Sequence, residues 1–326
     1  MNIKKIGLTA LAGSLVATSA FAGAMSVTGG ASINLEHING GAADTGKAWS
    51  MGNQLTFSGS GELDNGLTVS LSFVLDQGDD APASNTTTTL DARGDTSPFD
   101  SHSVTVSSDS LGSLKFSGEG GSSATSALDT TAAGDIWDAY DIASTVHPTG
   151  IGGGSNSMYY TLPALMDGLS ISASYAPTGS GATGTEAASG MSATYTGIDG
   201  LSVSYGTGDG ATANTSAEAL KASYAYGPIT VAYSNYEFDA DGSTSDDDTT
   251  SYKVSYTVSD EISISYGTET IERPTKEDVE TSRISASYTA GGMTISATMD
   301  EIENMDGSTT ATQDRERWAL GASFAF

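Results

Sequence analysis

From Ala24 to Phe326 almost every apolar residue is followed by Ser, Thr, Ala or Gly. A period of two sends the apolar side chains of an extended segment to one face and the small or hydroxylated ones to the other. A chain written this way lacks the continuous apolar runs from which a central core is built. The last segment shows the rule most plainly, with Trp318, Leu320, Ala322, Phe324 and Phe326 on one face and Ala319, Gly321, Ser323 and Ala325 on the other. Such a strand needs burial for its apolar face and hydrogen-bond partners along both edges.

About sixteen segments of this kind are predicted, with no helical pattern long enough to compete. They include Ala24 to His37, His102 to Asp109, Gly112 to Glu119, Ser216 to Tyr226, Glu261 to Thr270 and Asp314 to Phe326. Their connections alternate between short turns, such as Asp64-Asn65-Gly66 and Gly227-Pro228, and longer polar loops, such as Gly78 to Ser101 and Asp239 to Asp248. A β-sandwich has no reason to alternate connection lengths. A membrane barrel does, with short turns at one rim and long loops at the other. The expected fold is therefore all-β, a transmembrane antiparallel barrel.

Two further patterns support lipid on the apolar face. Strands leaving a turn end in Phe73, Tyr175, Tyr205 and Tyr266, whereas returning strands carry Tyr195, Tyr224, Tyr226, Tyr256, Tyr288, Phe324 and Phe326 near the turns. All share the outward parity, which makes two aromatic bands of the kind found at membrane interfaces. Lys115, Lys221, Lys253, Arg283 and Arg317 instead have inward parity. A base facing lipid at mid-membrane costs about 2 to 4 kcal/mol, so the segregation points to a wet lumen.

The N-terminus reads as an export signal over residues 1–22. Lys4 and Lys5 form its basic region, Ile6 to Ala17 its apolar core, and Ala20-Phe21-Ala22 its cleavage site, leaving one barrel domain over residues 23–326. The apolar core is 12 residues long, too short to span a bilayer. Without the two signal lysines the balance is 10 basic against 40 acidic residues, or −30. That excludes nucleic acid as a partner, and the absence of Cys excludes disulfides and thiolate metal sites.

With its signal, the first mature strand Ala24-Met25-Ser26-Val27-Thr28-Gly29-Gly30, the amphipathic strands, a long third external loop and a terminal Phe326, the chain resembles the bacterial general porins, of the alphaproteobacterial outer-membrane type. The resemblance implies a homotrimer in the outer membrane of a Gram-negative bacterium, among lipid and lipopolysaccharide. It also implies one water-filled pore per subunit for small hydrophilic solutes, and a third loop folded inward as a constriction. Phe326 takes the place of the terminal aromatic residue that the barrel-assembly machinery reads.

The third loop, Gly120 to Ser155, is the longest break in the strand pattern, and a structureless insertion of that length is unusual unless functional. Its middle holds Asp129, Asp135, Asp138 and Asp141, with Ile136, Trp137 and Tyr140 spaced for a short helical turn against a wall. The alternative is a surface loop covering the rim. An inward loop sets its acids against wall bases, for which Lys115, Lys221, Lys253, Arg283 and Arg317 are the candidates, with Arg317 lining the vestibule. The acid excess leads to the expectation of a weakly cation-selective diffusion pore. A substrate-selective outer-membrane channel, a non-channel surface barrel and a secreted adhesin are the other readings.

The acids Asp239, Asp241, Asp246, Asp247 and Asp248 form oxygen-only clusters at short spacing, which suits loosely bound Ca2+. They lack the spacing of a dedicated calcium loop, so solvated charge is the simpler reading, and no cofactor is expected. His102 has Asp100, Ser101 and Ser103 beside it, but sequence neighbours do not make a triad, and no enzymatic activity is expected.

Overall fold

The computed structural model describes residues 25–40, 45–76, 99–140, 142, 148, 151, 154–179, 181, 184–240, 246–309 and 313–326. The export segment, Asp141 and Asp241 lie outside them. The strands are β1 (Met25–Asn39), β2 (Thr45–Glu62), β3 (Thr68–Asp76), β4 (Phe99–Ser108), β5 (Gly112–Glu119), β6 (Ser157–Thr161), β7 (Leu169–Ala176) and β8 (Ala188–Tyr195) in the first half. In the second half they are β9 (Leu201–Asp209), β10 (Thr215–Tyr226), β11 (Ile229–Ala240), β12 (Asp247–Thr257), β13 (Ile262–Glu272), β14 (Val279–Ala290), β15 (Met293–Glu303) and β16 (Arg315–Ala325). Each pairs antiparallel with its sequence neighbours, and β16 pairs with β1 to close the barrel. Closure leaves no unpaired sheet edge, which is what lets strands cross a bilayer. Among the described residues no helix is long and apolar enough to cross a membrane.

Strand ends depart from the sequence pattern where hydroxyl-rich or charged residues still pair. β4 begins at Phe99 instead of His102, and β1 runs on to Asn39 past His37, because a ladder does not stop where the apolar alternation fades. At the short turns glycine is demanded by geometry. Gly200 has φ +74, and a Cβ there would lie 2.3 Å from the Ala225 carbonyl.

The two faces segregate by parity. Tyr252, Val254 and Tyr256 of β12 are all exposed on the outer face, as are Met191, Ile264, Ile284 and Met299 on other strands. An apolar surface of that extent is not tolerated in water, and lipid is the solvent that removes its cost. The inner face carries hydroxyls, which pair across strands: Ser263 with Ser287 at 2.8 Å, Ser265 with Ser285 at 2.7 Å, and Thr194 with Ser204 at 2.8 Å. Lys47 is the exception among strand bases. It shares the outward parity of Trp49 and Met51, but it sits at the loop end of β2, with its ammonium 6.0 Å from the Trp318 ring, where a long stem carries the charge to the interface.

At the seam the Gly29 amide donates to the Phe326 carbonyl at 2.8 Å, and the Phe326 amide to the Gly29 carbonyl at 3.0 Å. A Cβ on Gly29 would lie 2.6 Å from the Phe326 ring, so the ring occupies the space that a side chain would take.

Candidate functional site: the constriction loop and the lumen wall

Packed apolar residues in this barrel lie between the third loop and the wall, not between sheets. The segment after β5 turns into the lumen and runs across the inner face from β7 to β15. The Ala124 amide donates to Ser174 Oγ of β7 at 2.8 Å. Thr125 fits where Gly190 and Gly208 lack side chains, since Cβ atoms there would lie 3.0 and 2.8 Å from its Oγ1. Leu128 lies over Gly206, and Ala133 over Gly267, where a Cβ would come within 2.7 Å of the Ala133 Cβ.

Beyond Thr130 the loop is held by one row of wall residues. Lys221, Ser234, Ser251, Glu269 and Thr281 are direct register partners on β10 to β14. Lys221 Nζ donates to the Thr130 carbonyl at 2.6 Å, the Ala132 amide donates to Ser234 Oγ at 2.7 Å, and the Ala133 amide donates to Ser251 Oγ at 3.0 Å. Glu269 Oε1 accepts from the Thr131 hydroxyl, and Glu269 Oε2 accepts from the Trp137 amide at 3.2 Å. These bonds satisfy loop backbone that burial would otherwise leave unpaired.

Between these contacts the chain makes a tight turn. The Thr131 amide donates to Asp135 Oδ1 at 2.9 Å, while the Gly134 and Asp135 amides donate to Thr131 Oγ1 at 3.0 and 2.8 Å. Asp135 is held at φ +49, a region in which Asp is among the few non-glycine residues tolerated. A 3-10 turn follows over Ile136–Tyr140. Its Ile136, Trp137 and Tyr140 pack with Ile271, Val279 and Ile302 of the wall and with Met305. Ile151 docks with Ala217, Ala219, Tyr236 and Phe238, and its amide donates to the Tyr236 hydroxyl at 3.2 Å.

The three described loop acids are thus unequal, Asp141 lying outside the described residues. Asp138 is exposed, Asp135 spends one oxygen capping its own turn, and Asp129 is partly buried. Burial raises the Asp129 carboxyl above the usual range, the Asp135 charge adds to this, and Lys221 opposes it. The Tyr140 hydroxyl, also buried, lies well above the ordinary tyrosine range because of burial and the Asp300 charge.

The bases are placed differently from a simple line across a gap. Lys221, Lys253, Arg283 and Arg317 lie on strands within or bordering the arc that carries the loop, and only Lys115, on β5, lies outside it. Arg283 grips Asp300 with two bonds, of 2.7 and 3.0 Å, and Arg317 bonds the same carboxylate at 2.7 Å. Arg317 also donates to Glu36 Oε2 at 2.9 and 2.6 Å. Arg317 is therefore the link in a ladder from β14 through β15 and β16 to β1, across the seam. Among the described residues Lys115 and Lys253 form no ion pair. Parity applied to acids as well as bases picks out the wall acids that a search for bases alone passes over, since Glu36 and Asp300, which hold the arginines, and Glu269, which holds the loop, all face inward.

Across the lumen, β1 to β4 present Ser26, Ser58, Ser70, Ser72, Ser103 and Thr105 in place of a basic cluster. The external acids are likewise partly engaged: Asp247 pairs with buried Arg273 at 3.2 Å, Asp246 Oδ1 accepts from the Ala240 amide at 2.9 Å, and Asp248 Oδ1 accepts from Asn235 at 2.5 Å. Among the described residues no group of three or more His, Asp or Glu is arranged to hold a metal ion. His102 takes the outward parity of Val104, whereas Ser103 faces the lumen, so these neighbours do not converge.

A family profile described as Gram-negative porin matches residues 7–274. The chain belongs to the Gram-negative porin family. The porin shares its fold with the anion-selective porin from Comamonas acidovorans, at a TM-score of 0.70 and 16% identity over 93% of this chain and 99% of that one. A triple mutant of the Rhodopseudomonas blastica porin matches at a TM-score of 0.66 and 17% identity, over 93% of this chain and 100% of that one. No curated protein sequence matches the chain. The porin is an outer-membrane β-barrel channel of a Gram-negative bacterium, and its family and fold are those of channels, not enzymes.

Proposed function

We propose that the porin is a diffusion channel for ions and small hydrophilic solutes, with a weak preference for cations. The observation that carries the reading is the third loop lying inside a lumen rich in hydroxyls and charged side chains, where it narrows a water-filled path. The preference for cations rests on the −30 balance of residues 23–326 and on the pairing of Arg283 and Arg317 with wall acids. That pairing neutralises two of the five wall bases that would otherwise attract anions. The Comamonas relative is named as anion-selective, so the sign of selectivity varies on this fold. Planar-bilayer recording in a salt gradient tests it: a reversal potential of the cation sign is expected, and the anion sign overturns the preference while leaving the pore.

In this reading the mature chain begins at Gly23, assembles as a homotrimer in lipid and lipopolysaccharide, and presents Phe326 to the assembly machinery. It has no enzymatic activity and needs no cofactor. Any Ca2+ is loosely held at the rim acids around Asp246 and Asp248, so chelator leaves thermal stability unchanged.

A further inference from the structure

We infer that Glu269 is the positioning residue of the constriction, the wall group that sets where the loop stands in the lumen and hence the width and charge of the aperture. The inference rests on the channel reading above. Glu269 is 1% exposed, and among the described residues no Lys, Arg or His forms an ion pair with it. A buried carboxylate without a cation is tolerated only when fully hydrogen-bonded. Its bonds here go mainly to the loop. One oxygen takes the Thr131 hydroxyl; the other takes the Trp137 amide at 3.2 Å and the hydroxyl of its wall neighbour Thr281 at 3.3 Å.

Thr131 and Trp137 bracket the tight turn that carries Asp135, so a single side chain holds both ends of that turn. The Thr131 hydroxyl that donates to Glu269 also accepts the Gly134 and Asp135 amides, which places the turn's own hydrogen bonds in series with the wall. Lys221, Ser234 and Ser251 each hold one loop atom. Glu269 alone in the row holds two, and Thr281 fixes its orientation from β14. Asp138, one residue after Trp137, takes its place in the aperture from this anchor.

The test compares the wild type with Glu269→Gln and Glu269→Ala, each also carrying Ala133→Cys with Ser251→Cys, a clean cross-link in a chain without Cys. Single-channel current and reversal potential are read beside acrylamide quenching of Trp137 in a Trp49→Phe, Trp318→Phe background. Both Glu269 variants should lose the fixed conductance level, shift the reversal potential and expose Trp137, with Glu269→Gln intermediate, and oxidation of the cysteine pair should restore all three. Wild-type currents and a protected Trp137 in folded Glu269→Ala overturn the inference. So do altered currents with Trp137 still protected, which would make Glu269 a charge of the pore and not its positioner. Glu269→Gln keeps the volume of the side chain and carries the test if Glu269→Ala fails to assemble. A wild type that passes no current overturns the channel reading instead, and quenching still decides what positions the loop.

Discussion

The two arcs of the lumen wall are built from the same alternating strands and do opposite things. From β7 to β15 the inward positions are committed: Gly190, Gly208 and Gly267 make room for the loop, Ser234 and Ser251 accept its amides, and Ile271 and Ile302 pack under its 3-10 turn. From β1 to β4 the inward hydroxyls meet water or one another, as in the 2.7 Å contact between Ser26 and Ser58. Identical residue types therefore carry different meanings. A lumen-facing serine under the loop, such as Ser234 or Ser251, is a fastening, and away from the loop it is wetting. The aperture is bounded by the loop on one side and by this hydroxyl-rich wall, which among the described residues presents no basic residue to the lumen, on the other.

The comparison breaks most visibly at Ile136, which is 0% exposed. Ile136→Asp puts an unpaired charge in the loop–wall cluster and should cost about 4 kcal/mol of docking free energy. Limited proteolysis should find the loop newly cleavable and the conductance raised, whereas Ser72→Asp on the open arc should alter selectivity and leave the loop protected. Next comes the seam. Arg317→Ala strips Glu36 of its partner and Asp300 of one of two, at a cost of about 3 kcal/mol, read as a lower temperature for loss of the folded band on unheated gels. Gly267→Ala ranks third, because its Cβ lands on Ala133 and the loop has to shift, at roughly 1 to 2 kcal/mol. Gly30→Ala on the open arc, whose Cβ meets nothing closer than the Phe324 carbonyl at 3.5 Å, should leave proteolysis and conductance at wild-type values.

The smallest expected effect is that of pH. Burial and the Asp135 charge raise the Asp129 carboxyl in the folded chain, so its ionisation opposes folding at neutral pH. That penalty is relieved as the pH falls through the raised value, the reverse of a salt-bridged acid. Cation preference should accordingly begin to decline above the ordinary aspartate range, and Asp129→Asn should remove that early part of the titration. A reversal potential that titrates identically in wild type and variant would mean that Asp129 does not sense the permeating ions.

Much of this was legible in the sequence, because period two fixes which face a side chain takes, and lipid outside with water inside is unforgiving of error. Strand number, closure, outward aromatics and the inward parity of Arg283 and Arg317 all follow from that. Parity does not give height or partner. That Asp300 stands between Arg283 and Arg317 depends on the register of two hairpins, and a slip of one residue would dissolve the ladder. The arc on which the loop lies was written in the sequence only as lumen-facing glycines inside strands, in Tyr205-Gly206-Thr207-Gly208 and Tyr266-Gly267-Thr268. Isolated glycine in a strand marks close approach of another backbone, and here that backbone is the loop.

The ring of Phe326 resting in the space left by Gly29 also sets an order of events. The cradle is made early and its occupant late, so every hairpin between them can zip locally while the β1–β16 seam, this contact included, waits for its second strand. An unfinished barrel has nothing to put in the cradle, and a finished one can shut there without dislodging any side chain.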